Sequence, residues 1–253
     1  MRYKALICDV DGTLMLNKID GLPSKRVTRA INQAKKLLHV GIASARPFIQ
    51  ADYLFNHLKL KGPSIVLGGS LIIDAHSKKT LNEKALSKNE FIQICSILKK
   101  LKLPFYVNER NKQTLYFKNF QPSSNLLDVY VPKLSELIAS ALEKQFSNLV
   151  SLGIHKATDW ENNMLAVGIR SIKADKEHGV HEIARLLNIK TDEIIGVGDG
   201  HNDISLLAAC GLKIAMGNAI PEIKTMADYI APSVEEDGLA HVIERFILKN
   251  TSE

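Results

Sequence analysis

Short apolar segments alternate with helical segments at both ends of the chain, and this alternation restricts the fold more than any other feature of the sequence. Residues 3–8, 40–43 and 64–67 are predicted strands, and the segments between them repeat apolar residues at helical spacing. Among these segments, residues 48–58 are a predicted helix. The alternation returns with a predicted helix over residues 176–187 and another predicted strand over residues 193–197. Strands that alternate with helices are typical of parallel βαβ units. We therefore expect both ends of the chain to contribute to one parallel sheet.

The middle of the chain breaks this alternation. Its pattern predicts an α+β block of strand pairs and amphipathic helices. Helices are expected over residues 87–101, with a capping box from Ser87 to Glu90, and over residues 132–146, and a strand is expected over residues 114–117. The chain is thus expected to be an α/β protein whose parallel-sheet core is interrupted by an inserted second domain. The predicted division is residues 1–79 for the first part of the core, 80–170 for the inserted domain and 171–253 for the second part of the core.

The composition is that of an ordinary globular protein. Hydrophobic residues make up 45% of the 253 residues and charged residues 24%, which excludes disorder for most of the chain. The longest apolar stretches are well short of the roughly 18 residues that a membrane-spanning helix needs. A membrane partner is therefore not expected.

The cysteines indicate the compartment. Cys8, Cys95 and Cys210 are few, odd in number and widely spaced, which argues against a disulfide framework or a zinc site. The first apolar stretch is broken at Asp9 and Asp11, so a signal peptide is not expected. Both observations predict a cytoplasmic protein.

Positive charge is concentrated in one region. The chain has a formal net charge of +6, and residues 78–118 hold ten lysines and arginines against three acidic residues. This region is interpreted as a solvated lysine-rich face, or as a positive surface that attracts an anionic substrate. Nucleic acid is a less favoured partner, because lysine dominates and no nucleic-acid motif is present.

Two carboxylates follow the first predicted strand directly. Asp9 and Asp11 are succeeded by Gly12 and Thr13, and ligands of open α/β sheets bind beyond the carboxyl ends of the strands. Two neighbouring carboxylates repel each other unless a cation lies between them, and oxygen ligands suit magnesium. The alternative is that both aspartates serve only as turn residues.

A second acidic turn follows the strand at residues 193–197. It contains Asp199 and Asp203, and by itself it can be explained as a helix start capped by Asn202 or Asp203. Together with the first turn, it predicts one shared metal site built from two distant parts of the chain.

These turns carry a family resemblance. Residues 9–14, Asp-Val-Asp-Gly-Thr-Leu, and 198–203, Gly-Asp-Gly-His-Asn-Asp, resemble the first and fourth motifs of haloacid dehalogenase-like hydrolases in their Cof-like branch. Residues 44–47, Ser-Ala-Arg-Pro, and Lys176 occupy the places of the second and third motifs, with Lys173 as a competing candidate for the lysine. The resemblance implies a Rossmann-like core, and it implies that residues 80–170 form an α+β cap domain.

The resemblance also implies a mechanism. Asp9 would be the nucleophile that attacks phosphorus, and Asp11 would protonate the leaving oxygen and then accept a proton from water. Mg²⁺ would be held by Asp9, Asp199 and the backbone carbonyl of Asp11. Lys176 would supply a positive charge, and Asp203 would orient Lys176 or a metal-bound water.

The remaining implied residues surround the phosphate. Ser44 would donate a hydrogen bond to a phosphoryl oxygen, Gly12 would allow close backbone approach, and Asn202 would contact the phosphate or the substrate. Ala45 stands where the family has glycine, so it narrows the site. Arg46 either touches the substrate or pairs with an acid of the core.

One further departure concerns the loop after the third predicted strand. Residues 68–70, Gly-Gly-Ser, stand where the branch often has Asn-Gly-Ala, so a side chain of the family near the substrate entrance is missing.

The favoured function is a magnesium-dependent phosphatase that hydrolyses a small phosphorylated metabolite, such as a sugar phosphate or phosphoglycolate, through an aspartyl-phosphate. A phosphomutase or phosphotransferase on the same scaffold is an alternative, because it shares the aspartyl-phosphate step. A non-catalytic protein that binds through its basic region is another. A monomer and a homodimer both fit the sequence.

Overall fold

The computed structural model of the chain describes residues 2–18, 20–116, 120, 125–158 and 164–249. Its strands and helices fall into a core formed by both ends of the chain and an inserted unit formed by the middle. Within the described residues, every helix falls short of the length and apolar character that crossing a membrane requires.

A parallel five-stranded sheet forms the centre of the core. Its strands lie in the order β13-β12-β11-β1-β2, and every neighbouring pair is parallel. The bounds are β1 Ala5–Cys8, β2 His39–Ile42, β11 Ile194–Gly198, β12 Leu212–Ala215 and β13 Tyr229–Ile230. This parallel sheet confirms the predicted fold class.

Helices cover both faces of the core sheet. Leu6 and Cys8 of β1 pack on one face with α1, α2 and α8, whereas Ala5 and Ile7 pack on the other face with α5, α6 and α7. Successive side chains of a strand point to opposite faces, so a strand buried on both faces is apolar throughout. The bounds are α1 Lys25–Ala34, α2 Phe48–Leu58, α5 Lys176–Leu187, α6 Ile204–Ala209, α7 Pro221–Met226 and α8 Gly238–Ile243, the last continuing as a π-helical turn over Glu244–Leu248.

A three-stranded antiparallel sheet extends the edge of the core. It contains β3 Pro63–Val66, β4 Leu71–Asp74 and β5 Thr80–Glu83 in the order β3-β4-β5. The predicted third strand thus exists, and within the described part of the chain an isolated parallel bridge between Ala43 and Ile65 joins it to the core next to the end of β2. Between β3 and β4 the chain reverses in a tight turn at residues 67–70, and this turn lies next to the site described below.

The inserted unit is an antiparallel sheet with helices on one face. The strand order is β7-β6-β8-β10-β9, and α3 and α4 pack on the face that carries the apolar side chains. The bounds are α3 Lys88–Lys100, β6 Tyr106–Glu109, β7 Lys112–Leu115, β8 Leu126–Leu134, α4 Glu136–Phe146, β9 Leu152–Thr158 and β10 Leu165–Ser171. The capping box predicted between Ser87 and Glu90 at the start of α3 is present.

Two predictions for the inserted unit need correction. The helix predicted over residues 132–146 begins only at Glu136, capped by Ser135, because residues 126–134 form strand β8. Pro132 resembled a helix start, since proline is favoured in the first turn. It is tolerated in β8 because the pairing with β6 already ends at Tyr130. The strand predicted over residues 114–117 lies instead at Lys112–Leu115, and residue 117 is outside the described residues.

Candidate active site

Three carboxylates meet at the carboxyl edge of the core sheet. Asp9 follows β1 and Asp199 follows β11, and these strands are hydrogen-bonded parallel neighbours, so both residues leave the sheet at the same edge. Asp203 is the last residue of the short 3₁₀ turn His201–Asp203 that follows Asp199. One carboxylate oxygen from each of the three lies within 4.8 Å of the others.

Lys176 is the cation of this cluster. It is the first residue of α5 and is 2% exposed, and its Nζ donates to Oδ1 of Asp9 and to Oδ1 of Asp203, each at 2.5 Å. Burial alone would lower the pKa of Lys176, but the carboxylates of Asp203 and Asp9 outweigh burial and hold that pKa above its ordinary value. The ammonium group therefore stays charged between the two carboxylates.

Asp203 is held from both sides. Besides Lys176, its Oδ2 accepts the backbone N–H groups of Asp199 and Gly200, each at 3.0 Å. The side chain thus fixes the acidic turn after β11 and the position of Lys176 together, which is the contact pattern expected of a residue that orients the lysine.

The cluster carries more negative charge than Lys176 compensates. Burial, followed by the carboxylate of Asp203, raises the pKa of Asp9 well above its usual range although Lys176 opposes the shift. Burial and Asp203 also raise the pKa of Asp199 to about 7. Such shifts indicate that the ionised forms are disfavoured without a further positive charge. An oxygen-rich cluster of this kind suits a hard divalent cation.

Asp199 and its surroundings are oriented by two residues to which the sequence alone gave no role. Thr13 Oγ1 donates to Oδ1 of Asp199 at 2.6 Å, and Asn218 Nδ2 donates to the carbonyl of Gly12 at 2.9 Å. Thr13 belonged to the first motif, and Asn218 follows β12, the next strand of the same edge. Gly12 has φ +88°, and a Cβ there would overlap Oδ2 of Asp199, so only glycine fits.

Asp11 is paired with Arg46. The Arg46 guanidinium donates to both carboxylate oxygens of Asp11, at 2.8 and 2.6 Å, and it also donates to the carbonyl of Lys18 at 2.8 Å. Arg46 is 2% exposed. Of the two interpretations given for Arg46, pairing with an acid is the one that the structure shows, and a direct contact with substrate stays a prediction.

The loop of residues 44–47 packs beneath the site. Ser44 is buried, and its Oγ accepts the backbone N–H of Arg46 at 3.1 Å. The loop is tied to the next one because the N–H of Leu67 donates to the carbonyl of Arg46 and the N–H of Gly68 donates to the carbonyl of Ser44, each at 2.9 Å.

A cleft of about 640 Å³ separates the core edge from the inserted sheet. Most of the predicted site residues line it: Asp9, Asp11, Gly12, Ala45, Arg46, Asp199 and Asn202. Lys176 lines a side chamber of about 30 Å³, which Ala45 and Asn202 share with the cleft. Ser44 and Asp203 are buried and line neither space.

The opposite wall of the cleft belongs to the inserted sheet. Its face away from α3 and α4 carries polar side chains that cross-strand pairing brings into rows, with Asn108 opposite Asp128 and Asp128 opposite Arg170. All three are buried, and Asn108 donates to Asp128 at 2.7 Å. Sequence reasoning missed these residues because they come from three separate strands.

The glycines of residues 68–70 have a structural cause. Gly68 has φ +58°, and a Cβ there would overlap Nη1 of Arg170. The side chain that the family resemblance led us to expect at this place is therefore absent because Arg170 fills the space.

Comparison with known proteins agrees with this geometry. A sequence model described as haloacid dehalogenase-like hydrolase matches residues 6–130 and 108–243. The chain belongs to the haloacid dehalogenase-like hydrolase family. Within it, the relatives place the chain in the Cof-like branch, as the motifs predicted.

Similar proteins cover nearly the whole chain. The 5-amino-6-(5-phospho-D-ribitylamino)uracil phosphatase YcsE of Bacillus subtilis is 28% identical, over 97% of this chain and 96% of its own. The structure of a haloacid dehalogenase-like hydrolase from B. subtilis superposes with a TM-score of 0.85 at 20% identity, covering 96% of this chain and 100% of its own. A subclass IIB sugar phosphatase of the superfamily superposes with a TM-score of 0.79 at 23% identity, covering 96% and 98%.

These relatives confirm the predicted class of enzyme. Curated relatives are named phosphatases, so this family member is a phosphatase, and the prediction of a phosphoric monoester hydrolase is confirmed over a non-catalytic binding protein. The structural superpositions, at 20% and 23% identity, show the shared fold alone.

Proposed function

We propose that this phosphatase hydrolyses a small phosphorylated metabolite through an aspartyl-phosphate on Asp9, with Mg²⁺ as cofactor. The observation that carries the proposal is the buried contact of Asp9 with Lys176 beside Asp199, at one wall of a cleft large enough for a metabolite. A nucleophile, a fixed cation and an oxygen-rich cation site in one place are what phosphoryl transfer to a carboxylate needs.

Asp9 is the proposed nucleophile. Lys176 holds Oδ1, so Oδ2 is the oxygen that would attack phosphorus. A bond forms between Oδ2 and phosphorus while the bond from phosphorus to the ester oxygen breaks. Water then attacks the same phosphorus, which releases inorganic phosphate and restores the carboxylate of Asp9.

Asp11 is the proposed acid and base. It would give its proton to the departing ester oxygen in the first step and take a proton from the attacking water in the second. Its carboxylate is held by both nitrogens of the Arg46 fork, so its position in the cleft is set before substrate enters. Arg46 would then act on the reaction through Asp11.

The metal ligands would be Asp9, Asp199 and the backbone carbonyl of Asp11. When bound there, Mg²⁺ would neutralise charge on the transferring phosphoryl group. The raised pKa values of Asp9 and Asp199, caused first by burial and then by Asp203, support a cation at this place. Thr13 and Asn218 orient the turn that carries Asp199, whatever ion is bound.

The phosphate would be bound by the loop around Ser44 and by the neighbouring turns. Lys176 supplies the positive charge, and Ser44 would donate its hydroxyl proton to the phosphate while its oxygen continues to accept the N–H of Arg46. Gly12 admits the phosphate close to the backbone, Ala45 narrows the entrance, and Asn202 lies where the cleft meets the side chamber.

Residues 80–170 would serve as the cap of a core formed by residues 1–79 and 171–253. The Gln50 side chain of α2 donates to Gln113 of β7 at 3.1 Å, and both residues line the cleft. The cap would exclude water during transfer and would contact the leaving group. A sugar phosphate is the substrate class that the cleft and the names of two relatives favour.

Substitution of the nucleophile tests the proposal. Asp9→Asn keeps the side-chain volume but removes the nucleophile, so hydrolysis of p-nitrophenyl phosphate should fall by at least about a thousandfold. The matched control is Asp192→Asn, an exposed aspartate remote from the cleft, which should keep wild-type turnover. Activity should need Mg²⁺ and stop with EDTA. Wild-type turnover by Asp9→Asn would refute the mechanism.

A further inference from the structure

The side chain of Arg170 extends from the inserted sheet to the core. It lies near the end of β10, is 4% exposed, and its Nη1 donates to the carbonyl of Leu67 at 2.8 Å. A guanidinium buried to this degree is costly unless its partners are fixed. The contacts of Arg170 are therefore a specific part of the boundary between the core and the inserted unit.

The core side of this contact is shaped to receive the guanidinium. Leu67 and Gly68 both have positive φ, +49° and +58°, which turns the carbonyl of Leu67 toward Arg170 and leaves no side chain above Gly68. A Cβ at Gly68 would overlap the guanidinium. Positive φ at leucine is unfavourable, so the turn is held by its surroundings.

The inserted sheet holds the other side of Arg170. Its Nε forms an ion pair, without a hydrogen bond, with Oδ2 of Asp128 at 3.5 Å, and Asp128 is the residue directly opposite it on β8. Asn108 donates to the other oxygen of Asp128 at 2.7 Å. A Cβ at Gly168 would also overlap the guanidinium, so the sheet leaves open space for it.

The turn that Arg170 contacts leads directly to catalytic groups. The N–H groups of Leu67 and Gly68 donate to the carbonyls of Arg46 and Ser44. The next residue, Gly69, has φ +111° and packs against the backbone of Asp175, where a Cβ would overlap the carbonyl oxygen. Asp175 caps α5, whose first residue is Lys176.

We propose that Arg170 is a positioning residue that seats the inserted sheet on the turn at residues 67–69, and thereby sets where Ser44 and Lys176 stand relative to Asp9. This inference rests on the proposed function for its kinetic consequences. Arg170 and Gly68 act as a complementary pair, since the guanidinium needs a residue without a side chain beneath it. The competing role, direct contact of Arg170 with the leaving group, makes a different prediction.

The test is a cycle of Arg170→Ala, Gly68→Asn and the double variant. Asparagine is chosen because it tolerates positive φ better than other residues with a Cβ. Arg185→Ala, which removes an arginine with an exposed side chain on α5, is the control. The substrates are p-nitrophenyl phosphate and a hexose phosphate.

Each single variant should lower kcat on both substrates by the same factor, about 10–100-fold, because misplaced groups raise the barrier for any ester. KM should change less than about threefold. The double variant should regain most of the lost kcat, because the asparagine side chain enters the space that Arg170 leaves. The thermal midpoints should show the same non-additivity, with singles lowered by about 5 °C.

Three outcomes would overturn the proposal. A loss confined to the hexose phosphate would assign Arg170 to the leaving group. Additive effects of the two substitutions on kcat and midpoint would show that they do not form a pair. An unchanged affinity for inorganic phosphate in both single variants, measured by calorimetry, would show that Ser44 and Lys176 had not moved.

The same calorimetric measurement separates this proposal from the function itself. If the wild-type chain hydrolysed no ester, the proposed function would fail. The positioning role would still predict weaker phosphate binding in each single variant and recovery in the double variant.

Discussion

The two walls of the cleft are built from different chemistry. The core wall carries the ionic groups, with Asp9, Asp199 and Lys176 held by short contacts at the carboxyl edge of a parallel sheet. The inserted wall presents mainly amide, phenol and apolar side chains to the cleft, among them Gln113 and Tyr130, together with Lys133, while its Asp128 and Arg170 are paired with each other. The difference separates two tasks that a phosphatase must perform.

Under the proposed mechanism, the core wall contacts the groups that every phosphate ester shares, whereas the inserted wall faces the part that varies. Fixed charges stabilise the transferring phosphoryl group for any substrate. Amides and phenols instead distinguish leaving groups by hydrogen bonding, because a buried polar group left unpaired is costly. Changes to the core wall should therefore affect all substrates, and changes to the inserted wall should affect some.

The largest expected effect comes from the buried lysine. Lys176→Met keeps the length of the side chain but leaves Asp9 and Asp203 facing each other without a cation, so kcat should fall about a thousandfold on every ester. The free energy of unfolding should also fall, by about 3–5 kcal/mol, as for a broken buried ion pair. Steady-state kinetics and urea titration measure the two effects.

Lys173→Met is the control for that substitution. Lys173 is exposed and lies three residues before Lys176, and it was the competing candidate for the catalytic lysine. It should keep activity and stability within about twofold and 0.5 kcal/mol of wild type. Equal losses of activity in Lys176→Met and Lys173→Met would contradict a specific role for the buried charge of the core wall.

The next effect concerns the cation. Thr13→Val removes the hydroxyl that donates to Asp199, so the Mg²⁺ concentration for half-maximal activity should rise by about 10–100-fold. Activity at saturating Mg²⁺ should largely return on both p-nitrophenyl phosphate and a hexose phosphate. Thr225→Val, at an exposed position, should leave the Mg²⁺ requirement unchanged. A lower maximal rate with an unaltered Mg²⁺ requirement would place Thr13 outside the cation site.

A smaller effect sharpens the role of the inserted wall. Gln113→Ala removes the amide that meets Gln50 across the cleft, and a hydrogen bond of this kind contributes about 0.5–1.5 kcal/mol. We expect kcat/KM for a hexose phosphate to fall by roughly 2–10-fold, while that for p-nitrophenyl phosphate stays within about twofold. Gln93→Ala, on an exposed part of α3, is the control. Equal losses on both substrates would contradict a selective inserted wall.

The smallest expected effect tests whether the imidazole of His155, on the inserted wall, is neutral. Burial, followed by the charges of Arg170 and Lys176, lowers the pKa of His155 to about 3, below its ordinary value of 6.5. Between these values the unfolded chain binds a proton that the native chain does not, so stability falls as pH decreases below 6.5. From pH 6.5 to 5.5, His155→Gln should lose less stability than wild type, by on the order of 1 kcal/mol.

His57→Gln, at an exposed position on α2, is the control for that measurement. It should follow the wild-type dependence of unfolding free energy on pH. Identical slopes for wild type and His155→Gln would show that His155 takes up a proton as readily in the folded protein as in the unfolded chain, and His155 would then add a positive charge to the inserted wall in mildly acidic solution.

The same contrast explains what could be predicted from the sequence. The helices α2 and α5 occupy the residues that the apolar spacing predicted, and Asp9 and Asp199 meet because parallel strands end at one edge. These features depend on short contiguous patterns and on one rule of sheet geometry. A motif of six residues is enough to locate each of the two aspartates, and the apolar spacing locates the two helices.

The inserted wall depends on register instead. Asn108, Asp128 and Arg170 become neighbours only through the pairing of β6, β8 and β10, and both pairings contain an irregularity that shifts the register. No local pattern specifies such shifts. The structural reason for glycine at position 68 could not be predicted either. The guanidinium that occupies the space above Gly68 belongs to Arg170, which is distant in sequence and lies in the inserted unit.

The most direct test of the central claim is to trap the phosphoryl group on the protein. Wild-type enzyme is mixed with a phosphate ester and Mg²⁺, quenched in acid within the first turnover, and analysed by peptide mass spectrometry. The account predicts a phosphoryl group on the peptide that carries Asp9, at the side chain of Asp9. A phosphoryl group mapped to another side chain, or first-turnover hydrolysis with none bound to the protein, would contradict it.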